Sequence, residues 1–273
     1  MSPLHRTFYC TAVAGLLVLP FTTPASAQSK LEARYGITVA GISVGKGAWT
    51  IDIGTDQYSM STTGSASGIA SVMVSGEGTV TVRGAMKDGK PLPASFASSV
   101  VQDKEKTELK MTLDGGNVKD VTVAAAPPAD DRIEITDAHK RGVIDPLSAL
   151  LVPAAATGAA VSAEACAHTL PIFDGRRRFD LKLSFKRIDK VKADKGYAGP
   201  VAVCAVTLQP QAGYRKSSTL VKYLSDGREI EIWFAPVAGT KVLAPFRLSV
   251  ANMLGNLVVQ ANQFEVLAQT AAK

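Results

Sequence analysis

The sequence predicts a mainly β protein, and three observations support that prediction. Apolar and polar residues alternate with a period of two along many segments, turn-forming residues separate these segments, and helix-forming patterns are scarce. Such alternation is typical of strands that bury one face and expose the other. Many short strands at close spacing predict an antiparallel sandwich, a barrel or a strongly curved sheet.

The chain opens with features typical of a secretory signal peptide. His5 and Arg6 precede an apolar run that ends near Phe21, and Ala25-Ser26-Ala27 forms a small-residue cleavage pattern. The run is too short to span a membrane, which takes about 20 apolar residues. We therefore expect cleavage after residue 27 and export of one β-rich domain over 28–273, which has 246 residues (273 − 27).

The net charge of the expected mature chain bears on its partners. Removing Arg6 leaves 29 basic and 24 acidic residues, a net charge of +5. A basic exported protein can meet anionic envelope components. The charges are interleaved along the chain, which favours a dispersed, solvated surface.

The predicted strands follow one another with short turns between them. The clearest runs from Phe179 to Lys186, where every odd position is apolar and every even one polar. The predicted strands are 35–44, 49–53, 58–62, 80–83, 94–101, 109–113, 118–124, 179–186, 201–209, 228–234, 242–250 and 257–267. Turn chemistry separates several of them, at 54–56, 88–89, 115–116, 174–175 and 226–227.

Three short helices fit between the strands. The first begins with Asp145 as its cap and Pro146 at its first position, contains Ser148, and stops before Pro153. The others are expected at 67–73 and 217–224. An alanine-rich connection at 154–163 separates the two halves of the chain without a change of strand style.

Three consecutive arginines follow a strong hairpin signal. Asp174 and Gly175 predict a two-residue turn, which places Phe173 opposite Arg176. In that register Arg177 points inward, and the flanking Arg176 and Arg178 point to solvent. The stretch is read either as a charged hairpin rim or as an anion site, since arginine offers a planar fork of donors. Nucleic-acid binding is disfavoured, because aromatic residues are only 6% of the chain.

Two cysteines remain after the expected cleavage, Cys166 and Cys204. An even number in an oxidising compartment favours a disulfide, and the alternative is a pair of buried thiols. The predicted hairpin places Cys166 opposite Leu183, with Cys204 on the other side of the same strand. Two such positions are about 9–10 Å apart in a flat sheet, too far for a bond unless Cys166 lies outside the ladder.

No catalytic or metal-binding constellation is evident in the sequence. His139 and His168 lack the spacing of a metal site, and Ser148 lacks a nucleophile elbow. The glycine pairs around Lys46 and Glu77 lack a following helix, so they do not predict a phosphate loop. We therefore expect no enzyme activity, no metal and no cofactor.

Several motifs, taken together, resemble one known family. They are D-P-L-S-A-L from Asp145, F-D-G-R-R-R from Phe173 and A-G-Y-R, which contains Gly213, Tyr214 and Arg215, together with Cys166 and Cys204. In this order they resemble an exported bacterial family labelled domain of unknown function 3108. The resemblance implies a periplasmic envelope protein of Gram-negative bacteria. It also implies a highly curved antiparallel sheet or open barrel, similar to periplasmic lipoprotein carriers.

These observations lead to one functional hypothesis and one alternative. We expect a monomer that binds a lipid or acyl-bearing ligand on the concave face of its sheet, without a nucleic-acid partner or a transmembrane segment. The alternative is a structural module for envelope integrity that has a filled interior and an envelope protein partner. The residues proposed to bind are Arg176, Arg177, Arg178, Tyr214 and Arg215, and those proposed to hold the motifs in place are Asp145, Pro146, Ser148, Asp174, Gly175 and Gly213.

Overall fold

The computed structural model describes residues 28–66, 76–124, 131–226, 229–251 and 255–269. The expected signal peptide and the helix expected at 67–73 lie outside these residues. The described part forms one large antiparallel sheet with a single α-helix, which confirms the prediction of a mainly β, open-barrel-like fold.

The first half of the chain is a meander of seven strands. Each strand pairs with the next, because alternating residues give every strand one apolar face. Two-residue turns with positive φ, at 40–41, 88–89, 103–104 and 115–116, join four of the six pairs, and the connection 67–75 lies outside the described residues. The strands are β1 (Gln28–Val39), β2 (Ile42–Ile53), β3 (Gln57–Ala66), β4 (Gly76–Lys87), β5 (Lys90–Gln102), β6 (Glu105–Asp114) and β7 (Asn117–Val123).

The second half continues the same sheet and returns to its start. The strands are β8 (Val152–Pro153), β9 (Thr169–Phe173), β10 (Arg178–Lys192), β11 (Lys195–Gly196), β12 (Ala198–Ala212), β13 (Ile230–Pro236), β14 (Val242–Val250) and β15 (Leu257–Gln269). The last strand, β15, pairs with β1, so the sheet order is β7-β6-β5-β4-β3-β2-β1-β15-β14-β13-β12-β10-β9. The strand expected at 35–44 is two strands, because Ala40 and Gly41 form a turn with positive φ.

One apolar face per strand holds for the first half and fails in the second. In β2, for example, Trp49, Ile51 and Ile53 are buried while the residues between them are partly exposed. In β13 five consecutive residues, 231–235, are buried. Neighbouring residues of β12 belong to two different apolar clusters, Val203 to the larger and Cys204 to the smaller. The strands β12 and β13 are therefore covered on both faces.

Helical structure is confined to short pieces. The α-helix α1 (Thr219–Ser225) lies close to the prediction, and the Ser218 hydroxyl caps it by accepting from the backbone N–H of Val221 at 3.3 Å. The helix expected from Asp145 is a single 3₁₀ turn, Ser148–Leu150. Further 3₁₀ turns lie at Asp137–Lys140 and Ala163–Cys166.

A short irregular segment brings the two ends of the open sheet together. The Val143 N–H donates to the carbonyl of Gly116 in the β6–β7 turn at 2.7 Å. The next residue, Ile144, bridges β9: its N–H donates to Pro171 at 2.9 Å, and its carbonyl accepts from Phe173 at 3.0 Å. The segment 143–145 thus fastens the far edge strands to each other without a continuous ladder.

The arginine hairpin differs from its prediction in register. Phe173 pairs with Arg178, not with Arg176, so the loop contains four residues, 174–177. The cause is the Asp174 carboxylate, whose Oδ1 accepts from the N–H groups of Arg176 and Arg177 at 2.9 and 2.6 Å and holds the wider loop. The predicted directions are wrong as well: the Arg177 side chain is 51% exposed, whereas that of Arg178 is only 13% exposed.

Cys166 and Cys204 form a disulfide, with their Cα atoms 5.4 Å apart. The geometric objection does not apply, because Cys166 lies in the 3₁₀ turn Ala163–Cys166, outside the ladder. Leu183 pairs with Val206, and Cys204 pairs with Phe185. Both cysteines are fully buried, so the bond ties the alanine-rich connection to the centre of the sheet.

Candidate functional site

A large apolar cavity of about 890 Å³ lies against both halves of the sheet. Leucine, isoleucine and valine side chains dominate the wall from the second half: Leu170, Leu181, Leu183, Val206, Leu208, Ile230, Ile232, Leu248 and Val250. The first half contributes the aromatic residues Tyr35 and Trp49, with Ile37, Val44 and Val80. Its size falls within the range of about 300–1,000 Å³ that is typical of ligand pockets.

A row of glycines lines one wall of this cavity. Gly47, Gly64 and Gly78 are direct cross-strand neighbours on β2, β3 and β4, and the row begins at Tyr35 on β1. Directly opposed residues point to the same face of a sheet. A Cβ added at Gly64 would meet its nearest described atom, the Lys46 carbonyl oxygen, only at 3.9 Å. The space above Gly64 is therefore part of the cavity, and close packing of neighbours does not account for the missing side chain.

Two aromatic residues place polar atoms at the cavity wall. The Tyr35 hydroxyl donates to the carbonyl of Pro245 at 2.7 Å, which ties β1 to β14, and burial raises the pKa of this phenol. The Trp49 indole N–H is buried and has no acceptor among the described residues. A buried donor without a partner is costly, and this one is closed to solvent, so the indole contributes its apolar ring to the cavity wall.

The segment that begins at Asp145 forms another part of the wall. Leu147, Ala149 and Leu150 line the cavity, and between them Ser148 turns away and shares a 2.6 Å hydrogen bond with the Tyr58 hydroxyl. The Asp145 Oδ1 accepts from the N–H groups of Leu147 and Ser148, both at 2.9 Å. The predicted helix cap is displaced, because Leu147 is the residue that directly precedes the 3₁₀ turn. Asp145 lies further upstream, and its two accepted hydrogen bonds hold the segment with the three apolar side chains against the cavity.

The Asp145 carboxyl is fully buried, and its Oδ2 has no hydrogen-bond partner among the described residues. Burial raises its pKa, and hydrogen bonds from Ser148 and Leu147 oppose that shift. Burial also raises the pKa of the neighbouring Tyr58 phenol. Pro146 lies between Asp145 and the turn, where the missing N–H of proline leaves no donor to satisfy.

The predicted arginine residues lie together, but they contact acids of their own hairpin. The Arg177 Nε donates to Asp174 Oδ2 at 2.8 Å, and Arg178 Nη1 donates to Asp180 Oδ1 at 2.6 Å. Gly175 takes a φ of +88°, and a Cβ there would lie 2.4 Å from Leu109 Cδ1, so the loop packs closely against β6. Binding by Arg176, Arg177 and Arg178 stays a prediction, and their visible role is to hold the hairpin.

The A-G-Y-R motif packs against this hairpin. Gly213 takes a φ of +82°, and a Cβ there would lie 2.1 Å from the carbonyl oxygen of Arg176. The Arg177 guanidinium carbon lies 5.9 Å from the centre of the Tyr214 ring, and burial raises the pKa of that phenol to about 12. The backbones of Arg215 and Arg132 pair in an isolated antiparallel β-bridge. The motifs are therefore neighbours in space, although binding by Tyr214 and Arg215 also stays a prediction.

The glycine row is the feature that the sequence analysis missed. The glycine pairs around Lys46 and Glu77 are interpreted above only as possible phosphate loops. They lie just before the predicted strands 49–53 and 80–83, and the structure extends both strands over them. Glycine inside a strand often marks a place where a ligand approaches the backbone closely. That signal was available, whereas the leucine-rich opposite wall could be assigned to the cavity only from the fold.

The described residues hold no group of three or more histidine, cysteine or acidic side chains that could bind a metal ion. His168 is not part of any such group among the described residues. Burial and the charge of Lys90 lower its pKa. In the described part of the chain no helix is long and apolar enough to cross a membrane.

Comparisons with known proteins give a family without an assigned activity. The family model described as "Protein of unknown function (DUF3108)" matches residues 33–261. No curated protein matches the chain. Among solved structures, the chain is similar to a β-barrel-like protein of the domain of unknown function DUF1849 from Brucella abortus, with 10% identity and a TM-score of 0.46, over 90% of this chain and 99% of that one.

Proposed function

The chain belongs to the DUF3108 family of proteins of unknown function, and on this premise we propose that it is a non-enzymatic periplasmic protein that binds a lipid by an acyl chain. The observation that carries the proposal is the apolar cavity of about 890 Å³ between the glycine row and the leucine-rich wall. The periplasm is proposed because the sequence begins with a predicted signal peptide.

The chemistry of the wall favours an acyl chain over a polar ligand. The polar side chains among the cavity residues are few, and most of the lining is leucine, isoleucine, valine or glycine. Each methylene moved from water into such a cavity contributes about 0.8 kcal/mol.

The alternative is a structural module with a filled interior. The described side chains leave the cavity open, which disfavours that alternative. An envelope protein could still contact the hairpin at Arg176–Arg178, but Asp174 and Asp180 already pair with Arg177 and Arg178. We therefore place the ligand in the cavity and treat a protein partner as an outcome of the test.

The test replaces one glycine of the glycine row with leucine, so that the new side chain fills part of the cavity. Gly64→Leu adds a side chain where no described atom lies within 3.8 Å of the new Cβ, so the strand can accept it. The matched control is Gly36→Leu on β1, which lies between the inward-facing Tyr35 and Ile37 and so points to the opposite face, with no described atom within 4 Å. Both variants introduce the same side chain into a strand.

Binding is measured in two ways on all three proteins. Native mass spectrometry after mild purification, with lipid extraction, detects a retained ligand, and titration with cis-parinaric acid measures an affinity. We expect the wild type and Gly36→Leu to bind the probe alike and Gly64→Leu to bind at least about tenfold more weakly, since a filled cavity excludes several methylenes. A wild-type protein that carries no lipid and does not bind the probe would refute the proposal and favour a structural module.

A further inference from the structure

A second cavity of about 530 Å³ lies over β10, β13 and β14, and its lining is strongly charged. Four basic residues line it (Arg187, Lys190, Lys192 and Arg247), together with three acidic residues (Asp189, Glu229 and Glu231) and the indole of Trp233. We call it the Trp233 groove.

The acidic residues of the Trp233 groove are already paired with cations. Glu231 accepts from Arg187 Nη1 at 3.2 Å and contacts the Lys186 ammonium, which also binds Glu229 at 2.8 Å. Burial pushes the pKa of Glu231 upward, but the hydrogen bonds from Lys186 and Arg187 outweigh it and hold that pKa below its usual value. Asp189 lies 3.5 Å from Arg187 Nε.

Three positive charges of the groove are left without an acid. Arg247, Lys190 and Lys192 form no ion pair with any described residue. The Nε of Arg247 is buried and has no hydrogen-bond partner in the part of the chain that the structure describes. That Nε is closed to solvent, but the Arg247 side chain as a whole is only half-buried, so an anion that enters the groove would accept from the terminal nitrogens of the guanidinium.

Trp233 holds Arg247 in a fixed position. The two residues are direct cross-strand partners, and the Arg247 guanidinium carbon lies 4.9 Å from the centre of the indole ring. Arg187 stacks on the same indole at 5.7 Å. A stacked guanidinium is preorganised, so it loses little side-chain freedom when it binds an anion with its fork of donors.

We propose that the Trp233 groove binds a phosphate group, with Arg247 as the principal binding residue and Lys190 and Lys192 as supporting charges. With Lys186 the groove has five cations and three acids, a net charge of +2 (5 − 3), which matches a group that carries about −1.5 to −2 charges at neutral pH better than it matches a single carboxylate. Among the lining residues, Arg247 is the one that the groove shares with the acyl cavity, whereas Lys190, Lys192 and Trp233 line the groove alone. The phosphate proposal does not rest on acyl binding.

The indole of Trp233 reports on binding directly. The sequence has two tryptophans, so Trp49→Phe leaves Trp233 as the sole tryptophan, and its emission is excited selectively at wavelengths that tyrosine does not absorb. Inorganic phosphate is titrated at constant ionic strength, and calorimetry on the wild type provides a second measurement that needs no substitution. We expect a saturable change in emission, at least about tenfold weaker binding for Arg247→Gln, and an intermediate affinity for Arg247→Lys, which keeps the charge but loses the fork.

Controls separate this proposal from others. Arg83→Gln, at an exposed arginine on β4 outside the groove, and Gly64→Leu should both bind phosphate like the wild type. Glycerol 3-phosphate and dihexanoyl phosphatidic acid distinguish a free ion from a lipid headgroup as the source of the phosphate. Equal binding of succinate, or a response that Arg247→Gln leaves unchanged, would overturn the proposal.

Discussion

Replacing Asp145 with alanine tests whether one buried carboxylate holds the segment that lines the cavity. The substitution removes the acceptor of two N–H groups, those of Leu147 and Ser148, in a region where all three residues are buried. Each buried donor left without an acceptor costs about 1–3 kcal/mol, so the two cost roughly 2–6 kcal/mol before any relaxation.

A second effect reduces that cost. The wild-type carboxylate is itself buried, and its Oδ2 lacks a partner among the described residues, so its removal relieves a desolvation penalty. We therefore expect a net loss of about 2 kcal/mol, which is at the upper end of measured cap deletions. For a domain of about 150–250 residues this corresponds to a fall in melting temperature of roughly 4–8 °C.

The assay is urea unfolding of the oxidised protein at neutral pH, followed by circular dichroism. Asp145→Asn is the conservative variant, because its amide oxygen can keep both hydrogen bonds, and it should lose less than half as much. Asp120→Ala on the exposed face of β7 is the matched control and should lie within about 0.5 kcal/mol of the wild type. If Asp145→Ala were as stable as Asp120→Ala, Asp145 could not be the residue that holds this segment.

Two further predictions concern pH and the disulfide. Because burial raises the folded-state pKa of Asp145, the folded chain binds this proton more tightly than the unfolded chain does. The free energy of unfolding should therefore fall as the pH rises from the ordinary aspartate pKa towards the raised one, and Asp145→Asn should lack this fall; parallel pH curves for the two proteins would contradict the burial argument. The disulfide between Cys166 and Cys204 closes a loop of 38 positions, and the double substitution of both cysteines with alanine should cost about 4 kcal/mol in the chain-entropy account. Reductant should lower the urea midpoint of the wild type and leave that of the double variant unchanged. Thiol counting checks that reduction is complete. If the midpoint of the fully reduced wild type did not shift, the chain-entropy account would be ruled out.

The arginine hairpin shows how a local signal can be right in kind and wrong in register. Asp-Gly correctly predicted a turn, yet the Asp174 side chain accepts two backbone hydrogen bonds and widens the loop to four residues. That choice also depends on Gly175 packing against Leu109, which lies 66 positions earlier in the chain (175 − 109). A contact with a residue so distant in the chain cannot be predicted from the residues of the hairpin.

The sequence alone determined most of the strands and most of their turns. These features are local, since a period of two and a turn with positive φ depend on residues that are neighbours in the chain. The tertiary structure alone decided the sheet order, the pairing of Cys166 outside the ladder, and the cavity between the glycine row and the leucine-rich wall. The cavity joins side chains that are more than 100 positions apart, such as Gly64 and Leu183, and only the curvature of the folded sheet brings them together.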